Sequence, residues 1–258
     1  MKAKQFVFRS LLLLVMAQTV VSCVYKNGSW ENGPRVVQSR PLKGFDKIEV
    51  YGSPSVYYSQ ANAFSVSVKG PEDKVDKIVT SVEGGTLTIR NKGKIGMFNV
   101  SFGDMSDLSV HVASPDLTSV SLNGSGDFVC VSNLDTDHMR ISLRGSGDMT
   151  FENIICDDCV TELVGSGDVM LKRLEAFTSE ISLIGSGDME VAQWNVGETD
   201  ISLRGSGDIS VRFGEGCKKV DCQLNGSGDI YLEGKVEQMN KHKTGSGDID
   251  TDKLAIGK

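Results

Sequence analysis

The chain has 258 residues, of which 39% are hydrophobic and 24% charged, with 29 glycines and a formal net charge of −7. Its length fits one or two ordinary domains or a single elongated repeat, and its composition is that of a globular protein. The negative balance argues against nucleic acid as a partner, because nucleic-acid-binding proteins carry a basic surface. It is compatible with cations, neutral glycans or basic protein patches, and also with a charge that only keeps the protein soluble.

The first 22 residues have the pattern of an export signal. Three basic residues precede an apolar run that is too short to cross a bilayer as a helix. The Val-Val-Ser sequence directly before Cys23 resembles the lipobox of bacterial lipoproteins. This resemblance implies that residues 1–22 are a lipoprotein signal peptide and that the sulfur of Cys23 carries the lipid anchor. The alternative is an ordinary signal peptide followed by a chance cysteine.

The residues after the cysteine bear on the final location. Val24 stands where an aspartate would imply retention in the inner membrane, so the resemblance implies a lipid-anchored protein of the outer membrane. No acidic run follows, which leaves open whether the protein is surface-exposed or faces the periplasm. Residues 23–40 show little periodicity and are predicted to be the lipidated cysteine and a tether.

Residues 41–118 have β-strand character without a fixed repeat. Apolar and polar residues alternate around Ile48 and Val56, and Gly84-Gly85 stands between apolar positions as in a hairpin. The Gly52-Ser53-Pro54-Ser55 segment looks like a degenerate copy of a tetrapeptide that recurs later, with the aspartate missing. We expect this region to form irregular N-terminal coils that also cap the rest of the domain.

The tetrapeptide Gly-Ser-Gly-Asp then recurs seven times at spacings of 19 to 21 residues. Its copies begin at Gly124, Gly145, Gly165, Gly185, Gly205, Gly226 and Gly245. A repeat of this length indicates a solenoid, in which each unit buries its apolar side against its neighbours. Residues 119–258 are therefore predicted to be regular coils, and residues 41–258 a single β-solenoid domain.

Each repeat alternates between apolar and polar residues, which predicts the direction of every side chain. In the second copy Ile141, Leu143, Met149 and Phe151 share one parity with the two glycines, and the serine and aspartate share the other. The glycines should therefore point inward at a corner where a side chain would collide with the core, or where the backbone needs a positive φ. A further inward column is predicted at Leu134, Ile154, Leu174, Trp194, Phe213, Val236 and Leu254.

These patterns predict an all-β parallel β-helix with about 20 residues per coil. Right-handed coiling is favoured because parallel crossovers usually have that hand. The final coil replaces apolar column residues by Lys241, Lys243 and Thr251, and charges at an open end discourage the addition of strands from other molecules.

The aspartates of the tetrapeptides should form one outward-facing ladder, with the serines beside them. Its members are Asp127, Asp148, Asp168, Asp188, Asp208, Asp229 and Asp248. One interpretation is structural: each carboxylate accepts backbone N–H groups at its own corner, which offsets the repulsion between neighbouring carboxylates of roughly 1 kcal/mol. The alternative is a weak cation or ligand site, with Ca²⁺ as the candidate cation.

Catalysis and metal binding find little support in the sequence. General acid–base catalysis needs two titratable groups in different environments, whereas here every coil carries the same aspartate at the same position. His111, His138 and His242 have no metal-ligand spacing, and Arg144 and Arg204 could screen nearby aspartates. We therefore predict no catalytic residues, no metal site and no cofactor.

The cysteines and surface aromatics are the remaining candidates. Cys156 and Cys159 should form either an intraloop disulfide or two free thiols, while Cys130 and Cys222 should be buried thiols that act as small apolar residues. Tyr231 has outward parity and is the best candidate for stacking on a sugar.

The lipobox, the strand around Ile48, the Gly84-Gly85-Thr86-Leu87 segment and the recurring Ile-Ser-Leu-x-Gly-Ser-Gly-Asp sequence together resemble the head GIN domain of the auto-transporter adhesin family. The resemblance covers most of residues 41–258. It implies a β-helical domain that is secreted or attached to the envelope, and it brings no catalytic residues.

We therefore expect a non-enzymatic envelope lipoprotein with an adhesin-like binding module for a glycan or another extended polymer, or for a cell-surface protein. Alternatives are a structural spacer or assembly protein of the envelope and, less favoured, a β-helix polysaccharide lyase or hydrolase.

Overall fold

The computed structural model describes residues 34–93 and 108–257. Within these ranges the chain is all-β, with nineteen strands and one short helix, and residues from Pro34 onward form one compact unit. Stacked parallel coils about 20 residues apart confirm the predicted β-solenoid. The proposed signal peptide, Cys23 and the first part of the proposed tether lie outside the described residues. No helix in the described ranges is long and apolar enough to cross a membrane.

The regular coils begin at residue 119. Each contains a strand that ends at the first glycine of the tetrapeptide and a strand that begins directly after the aspartate. The strands are β8 (Ser119–Gly124), β9 (Phe128–Asp135), β10 (His138–Gly145), β11 (Met149–Ile155), β12 (Asp158–Gly165), β13 (Val169–Glu175), β14 (Thr178–Gly185), β15 (Met189–Trp194), β16 (Val196–Gly205), β17 (Ile209–Gly226), β18 (Ile230–Gly245) and β19 (Ile249–Ile256).

Two parallel sheets run the length of the solenoid and meet at the tetrapeptide corner. Sheet 1 contains β8, β10, β12, β14, β16 and the second halves of β17 and β18. Sheet 2 contains β9, β11, β13, β15, the first halves of β17 and β18, and β19. Since β17 and β18 continue from one sheet into the other, the two sheets form one continuous surface around the core.

The predicted alternation is confirmed in the regular coils and is lost only in the last one, where the second half of β18 is exposed. In sheet 1 Leu143 pairs with Leu163 and Gly145 with Gly165, in exact coil-to-coil register. In the coils before the last, the inward residues before and after each tetrapeptide are buried, and the rings of Phe128 and Phe151 lie 5.5 Å apart along the axis with their planes inclined by 33°. Lys241 and Lys243 of the last coil are exposed, as the sequence suggested. The core is therefore a stack of similar, mostly apolar layers.

The N-terminal part joins the same two sheets but reverses direction at its outer end. Its elements are β1 (Arg35–Arg40), β2 (Lys47–Gly52), β3 (Ser55–Gln60), β4 (Ser65–Pro71), α1 (Glu72–Val75), β5 (Ile78–Glu83), β6 (Thr86–Asn91) and β7 (Ser109–Ser114). Strands β2 and β3 lie parallel against β8 and β9, and β6 and β7 lie parallel on the far side of β2 and β3. Strands β6 and β7 follow β2 and β3 in the chain, yet they form the outer coil at this end of the solenoid.

Antiparallel strands close this end. Strand β5 pairs with β6, β4 pairs with β7, and β1 pairs with β4 over Arg35–Arg40. The hairpin predicted at Gly84-Gly85 is confirmed, with φ values of 57° and 79°. The folded unit begins earlier than the predicted boundary at residue 41, because the last part of the predicted tether forms β1. Its half-buried Val36, Gln38 and Arg40 alternate with exposed residues, a short pattern that is easily mistaken for coil.

The predicted column at the corner between sheet 2 and the following strand of sheet 1 is wrong at two positions, since Gln193 stands there in place of Trp194 and Gly234 in place of Val236. Leu174 lies next to Gln193 rather than Trp194, because the register shifts between β13 and β15. Gln193 is buried, and its amide donates to Ser179 Oγ at 2.8 Å while its carbonyl accepts from Thr199 Oγ1 at 2.9 Å. Trp194 is only half-buried, with the Arg173 guanidinium 4.7 Å from its ring centroid.

Candidate functional site

The two glycines of each tetrapeptide allow neighbouring coils to touch through their backbones. At Gly185, with φ +141°, a Cβ atom would lie 2.0 Å from the carbonyl oxygen of Gly165. That carbonyl accepts the N–H groups of Ser186 at 2.9 Å and of Gly187 at 3.3 Å. The glycines are therefore required by hydrogen bonds between coils, and not by the core as the parity had suggested.

The aspartates form the predicted outward ladder, but their partners differ from the prediction. Each carboxylate from Asp148 to Asp229 accepts the backbone N–H of the aspartate one coil further on, rather than an N–H group at its own corner. Five such bonds of 2.7 to 3.1 Å join consecutive members from Asp148 to Asp248. Asp127, at the start, accepts from Ser55 Oγ at 3.2 Å. The ladder therefore links the coils and offsets the repulsion between adjacent carboxylates.

The aspartate ladder has few other charged partners. Lys243 Nζ lies 3.2 Å from Asp248 and holds the pKa of that carboxyl below its usual value. Arg144 does not screen the ladder, because its guanidinium pairs with both carboxylate oxygens of Glu162 at 3.0 and 3.1 Å. In the described part of the chain, no group of three or more His, Cys, Asp or Glu side chains is arranged to hold a metal ion.

The described cysteines are all thiols that point into the solenoid. Cys130 and Cys222 are buried as predicted, and burial raises the pKa of Cys130 to about 11 and of Cys222 to about 12. Cys156 and Cys159 are buried and unbridged, and a hydrogen bond between the two thiols is the largest cause of the raised pKa of Cys156. All of these thiols are buried, which keeps them from acting as accessible nucleophiles.

Sheet 2 carries a second column of outward side chains. In each regular coil its member stands two residues after the aspartate of the tetrapeptide, and the equivalent residues of β3 and β7 continue it. Its members are in unbroken register across nine strands, and we call it the tyrosine column. It comprises His111, Tyr57, Val129, Thr150, Met170, Glu190, Ser210, Tyr231 and Asp250. The outward position predicted for Tyr231 is confirmed, with 41% of the residue exposed.

The sequence did not reveal that Tyr57 and Tyr231 share this column. Tyr57 lies in the N-terminal coil and is separated from Tyr231 by more than 170 positions in the chain. The only sequence signal was the likeness of the Gly52 segment to the later tetrapeptides, which places Tyr57 at the same position in its coil as Tyr231.

The family model for "putative auto-transporter adhesin, head GIN domain" matches residues 44–216. No curated relative matches the chain in sequence. A solved structure described as a putative adhesin from Bacteroides fragilis is 21% identical with a TM-score of 0.69, and the alignment covers 86% of this chain and 97% of that one.

Two further solved structures come from Parabacteroides distasonis. One, described as a putative lipid binding protein, is 25% identical with a TM-score of 0.69 over 85% of this chain and 98% of that one. The other, described as a putative adhesin, is 19% identical with a TM-score of 0.64 over 87% of this chain and 97% of that one.

Two of these three structures are described as putative adhesins and one as a putative lipid binding protein. Their names and that of the family indicate an adhesin-like binding module at the cell surface or in the envelope. The repeated corner, the sheets on either side of it and the match over residues 44–216 agree, and the chain belongs to the family of the auto-transporter adhesin head GIN domain.

Proposed function

We propose that this protein is a non-enzymatic binding module of the cell envelope, anchored by a lipid on Cys23, which holds an extended polymer such as a glycan along the outside of its solenoid. One observation carries the proposal. The tyrosine column of sheet 2 keeps a single register across nine strands, so it presents a straight row of outward side chains at the strand spacing of about 4.8 Å. A long straight row of this kind is suited to an extended ligand.

The lipid anchor and the outer-membrane location are supported by the lipobox alone. Growth with labelled palmitate tests the anchor: wild-type protein should carry the label, and the Cys23→Ala variant should not. An unlabelled wild-type protein would favour the ordinary signal peptide. Protease treatment of intact cells separates the two faces of the membrane, since only a surface-exposed domain would be digested.

A glycan panel tests binding. Full-length protein in mild detergent is applied to immobilised neutral and charged polysaccharides, and the products are analysed for chain cleavage. Binding without cleavage is expected. Released oligosaccharides would instead indicate a lyase or hydrolase.

A structural spacer is the second candidate function. It is favoured by the corner itself, where glycine contacts and the aspartate ladder serve only to join coils. A spacer would bind none of the polysaccharides, but its deletion would alter the integrity or spacing of the envelope.

One of the two Parabacteroides distasonis structures is described as a putative lipid binding protein, so lipid is a further ligand to test. The interior of the described coils is filled by side chains, so a lipid would have to bind outside. Vesicles added to a non-acylated Cys23→Ala protein measure this directly, since binding there cannot come from the anchor.

A further inference from the structure

Two exposed tyrosine rings lie in the tyrosine column near opposite ends of the solenoid. Tyr57 aligns with Val129, and the alignment continues strand by strand to Ser210 and Tyr231 without a register shift at any of these positions. Six strand spacings separate the two rings, which is about 29 Å. A ligand that contacts both must therefore be long and must run across the strands.

The ring at the N-terminal end is part of a stacked pair. Tyr57 is 38% exposed and lies against His111 with ring centroids 5.3 Å apart and planes inclined by 18°. Burial, together with nearby Lys69, lowers the pKa of His111, which favours the uncharged imidazole. Ser109 Oγ lies 3.1 Å from its Nε2. We call this stacked pair, which is held by two neighbouring strands, the Tyr57–His111 platform.

The ring at the C-terminal end is held by its hydroxyl. Tyr231 donates a hydrogen bond to Asp229 Oδ2 at 3.0 Å, which ties it to the aspartate ladder. It lines two depressions on the surface of sheet 2. One, of about 320 Å³, also contains Met170, Glu190 and Ser210. The other, of about 380 Å³, lies beside it and contains Arg212. The ring therefore stands between two shallow recesses lined with polar groups.

The charge of this surface restricts the ligand. The recesses around Tyr231 carry the carboxylates of Glu190, Glu233 and Asp250, with the aspartate ladder along one side, against the cations Arg212 and Lys253. Further along the sheet, the Lys172 ammonium is neutralised by Glu152 at 2.7 Å. An excess of negative charge repels anionic polymers and leaves neutral ones unaffected.

We propose that a neutral glycan chain lies along the tyrosine column, across the strands, and stacks sugar rings on the Tyr57–His111 platform and on Tyr231. This inference rests on the proposed function and names its site and ligand class. Sugar rings have an apolar face that packs on an aromatic ring and hydroxyls that pair with groups such as Thr150, Ser210 and Glu190. An extended peptide would instead seek a free strand edge, and the column lies in the middle of a sheet whose backbone groups are already paired.

The test uses tyrosine variants of the full-length protein. Tyr57→Ala, Tyr231→Ala and the double variant are compared with Tyr51→Ala as a matched control. Tyr51 is 38% exposed on sheet 1, and its hydroxyl donates to Glu49 Oε2, two residues earlier, at 2.9 Å. It therefore resembles Tyr231 in exposure and bonding but lies on the other sheet. Equal thermal midpoints would show that all variants are folded.

The probes are dextran, mannan and xyloglucan as neutral polysaccharides, their disaccharide units, and polygalacturonate as an anionic polymer. For the neutral polysaccharide that binds, each single variant should weaken affinity on the order of tenfold, and the double variant by about the product, because both rings hold one chain. Tyr51→Ala should bind as wild type. The disaccharides, which cannot span the column, should bind more weakly and should respond to at most one of the two substitutions.

The contrary outcomes separate the two proposals. If wild type binds a neutral polysaccharide and neither Tyr57→Ala nor Tyr231→Ala weakens it, the site is elsewhere and only the present inference fails. An equal loss in Tyr51→Ala has the same meaning. Preference for polygalacturonate overturns the charge argument and the neutral ligand with it. If wild type binds none of the polymers, the inference and the proposed glycan function both fail.

Discussion

The corner at Gly52 and the corner at Gly185 stand at equivalent positions of their coils but in different surroundings. A Cβ at Gly185 would lie 2.0 Å from a backbone carbonyl of the preceding coil, whereas at Gly52 it would meet only the side-chain amide of Asn91 at 3.1 Å. Asn91 belongs to β6, in the outer coil, where the stack of glycine corners ends. The strict glycine requirement therefore comes from a second corner lying underneath, and not from the turn alone.

The two corners also differ in whether they contain the aspartate of the tetrapeptide. The Gly52-Ser53-Pro54-Ser55 corner has a serine where the others have the acid, and it still aligns with the Gly124 corner and bonds to it through the Ser125 N–H at 2.9 Å. A corner can thus form without its own carboxylate. The aspartate adds a link between coils, which is useful only where many coils must keep one register.

Substitution of the glycines should separate the two corners most strongly. Gly185→Ala should cost about 4 kcal/mol or more, because its Cβ would overlap a backbone oxygen that cannot move without breaking two hydrogen bonds. Gly52→Ala should cost about 1–2 kcal/mol, since it meets a movable side chain and bears mainly the strain of its φ of +98°. Urea unfolding followed by circular dichroism measures both. Equal losses would show that the turn, and not the stacking, requires glycine.

Removal of a ladder carboxylate should have a smaller effect. Asp188→Ala deprives the Asp208 N–H of its acceptor at 3.0 Å and should cost about 1 kcal/mol, because water can reach the exposed site. Asp188→Asn keeps an acceptor oxygen and should cost less. Ser55→Ala is the matched control in the N-terminal corner, with an expected loss below about 0.5 kcal/mol. If Asn is as harmful as Ala, the charge rather than the acceptor is what the ladder requires.

The His138–Asp158 pair joins two regular coils at the surface. It should contribute less to the free energy of unfolding than a ladder carboxylate does, and only below a certain pH. His138 Nδ1 lies 2.8 Å from Asp158 Oδ1, and this hydrogen bond raises the pKa of His138 above its usual value of 6.5. The stabilisation is therefore complete below pH 6.5 and is lost as the pH rises through the folded-state pKa. The unfolding midpoints of wild type and His138→Gln should converge toward high pH. A gap that does not depend on pH would mean that the pair has no linked protonation.

Calcium should have no effect on either region. Each ladder carboxylate from Asp148 to Asp229 already accepts a backbone N–H through Oδ1, which satisfies one of its two oxygens without a cation. The thermal midpoint should be the same with Ca²⁺ and with a chelator. A rise with Ca²⁺ that Asp188→Asn abolishes would instead establish a cation site on the ladder.

The regular coils could be predicted almost completely because their information is local and periodic. The positions of Leu143, Met149 and Asp148 follow from parity once the tetrapeptide is aligned, and all are confirmed. The Trp194 position could not be predicted in this way. The register shift between Leu174 and Gln193 alters the count by one residue, and nothing in the sequence marks where a bulge will occur.

The sequence by itself determined the period, the side of most residues in the regular coils and the need for glycine at the corner, since an alternating pattern with a fixed repeat admits one way of burying its apolar side. Only the tertiary structure decided which atoms the corner brings together. The carbonyl of Gly165, the N–H partner of each aspartate and the alignment of Tyr57 with Tyr231 all depend on the neighbouring coil, and a contact between coils is made by residues that the chain keeps far apart.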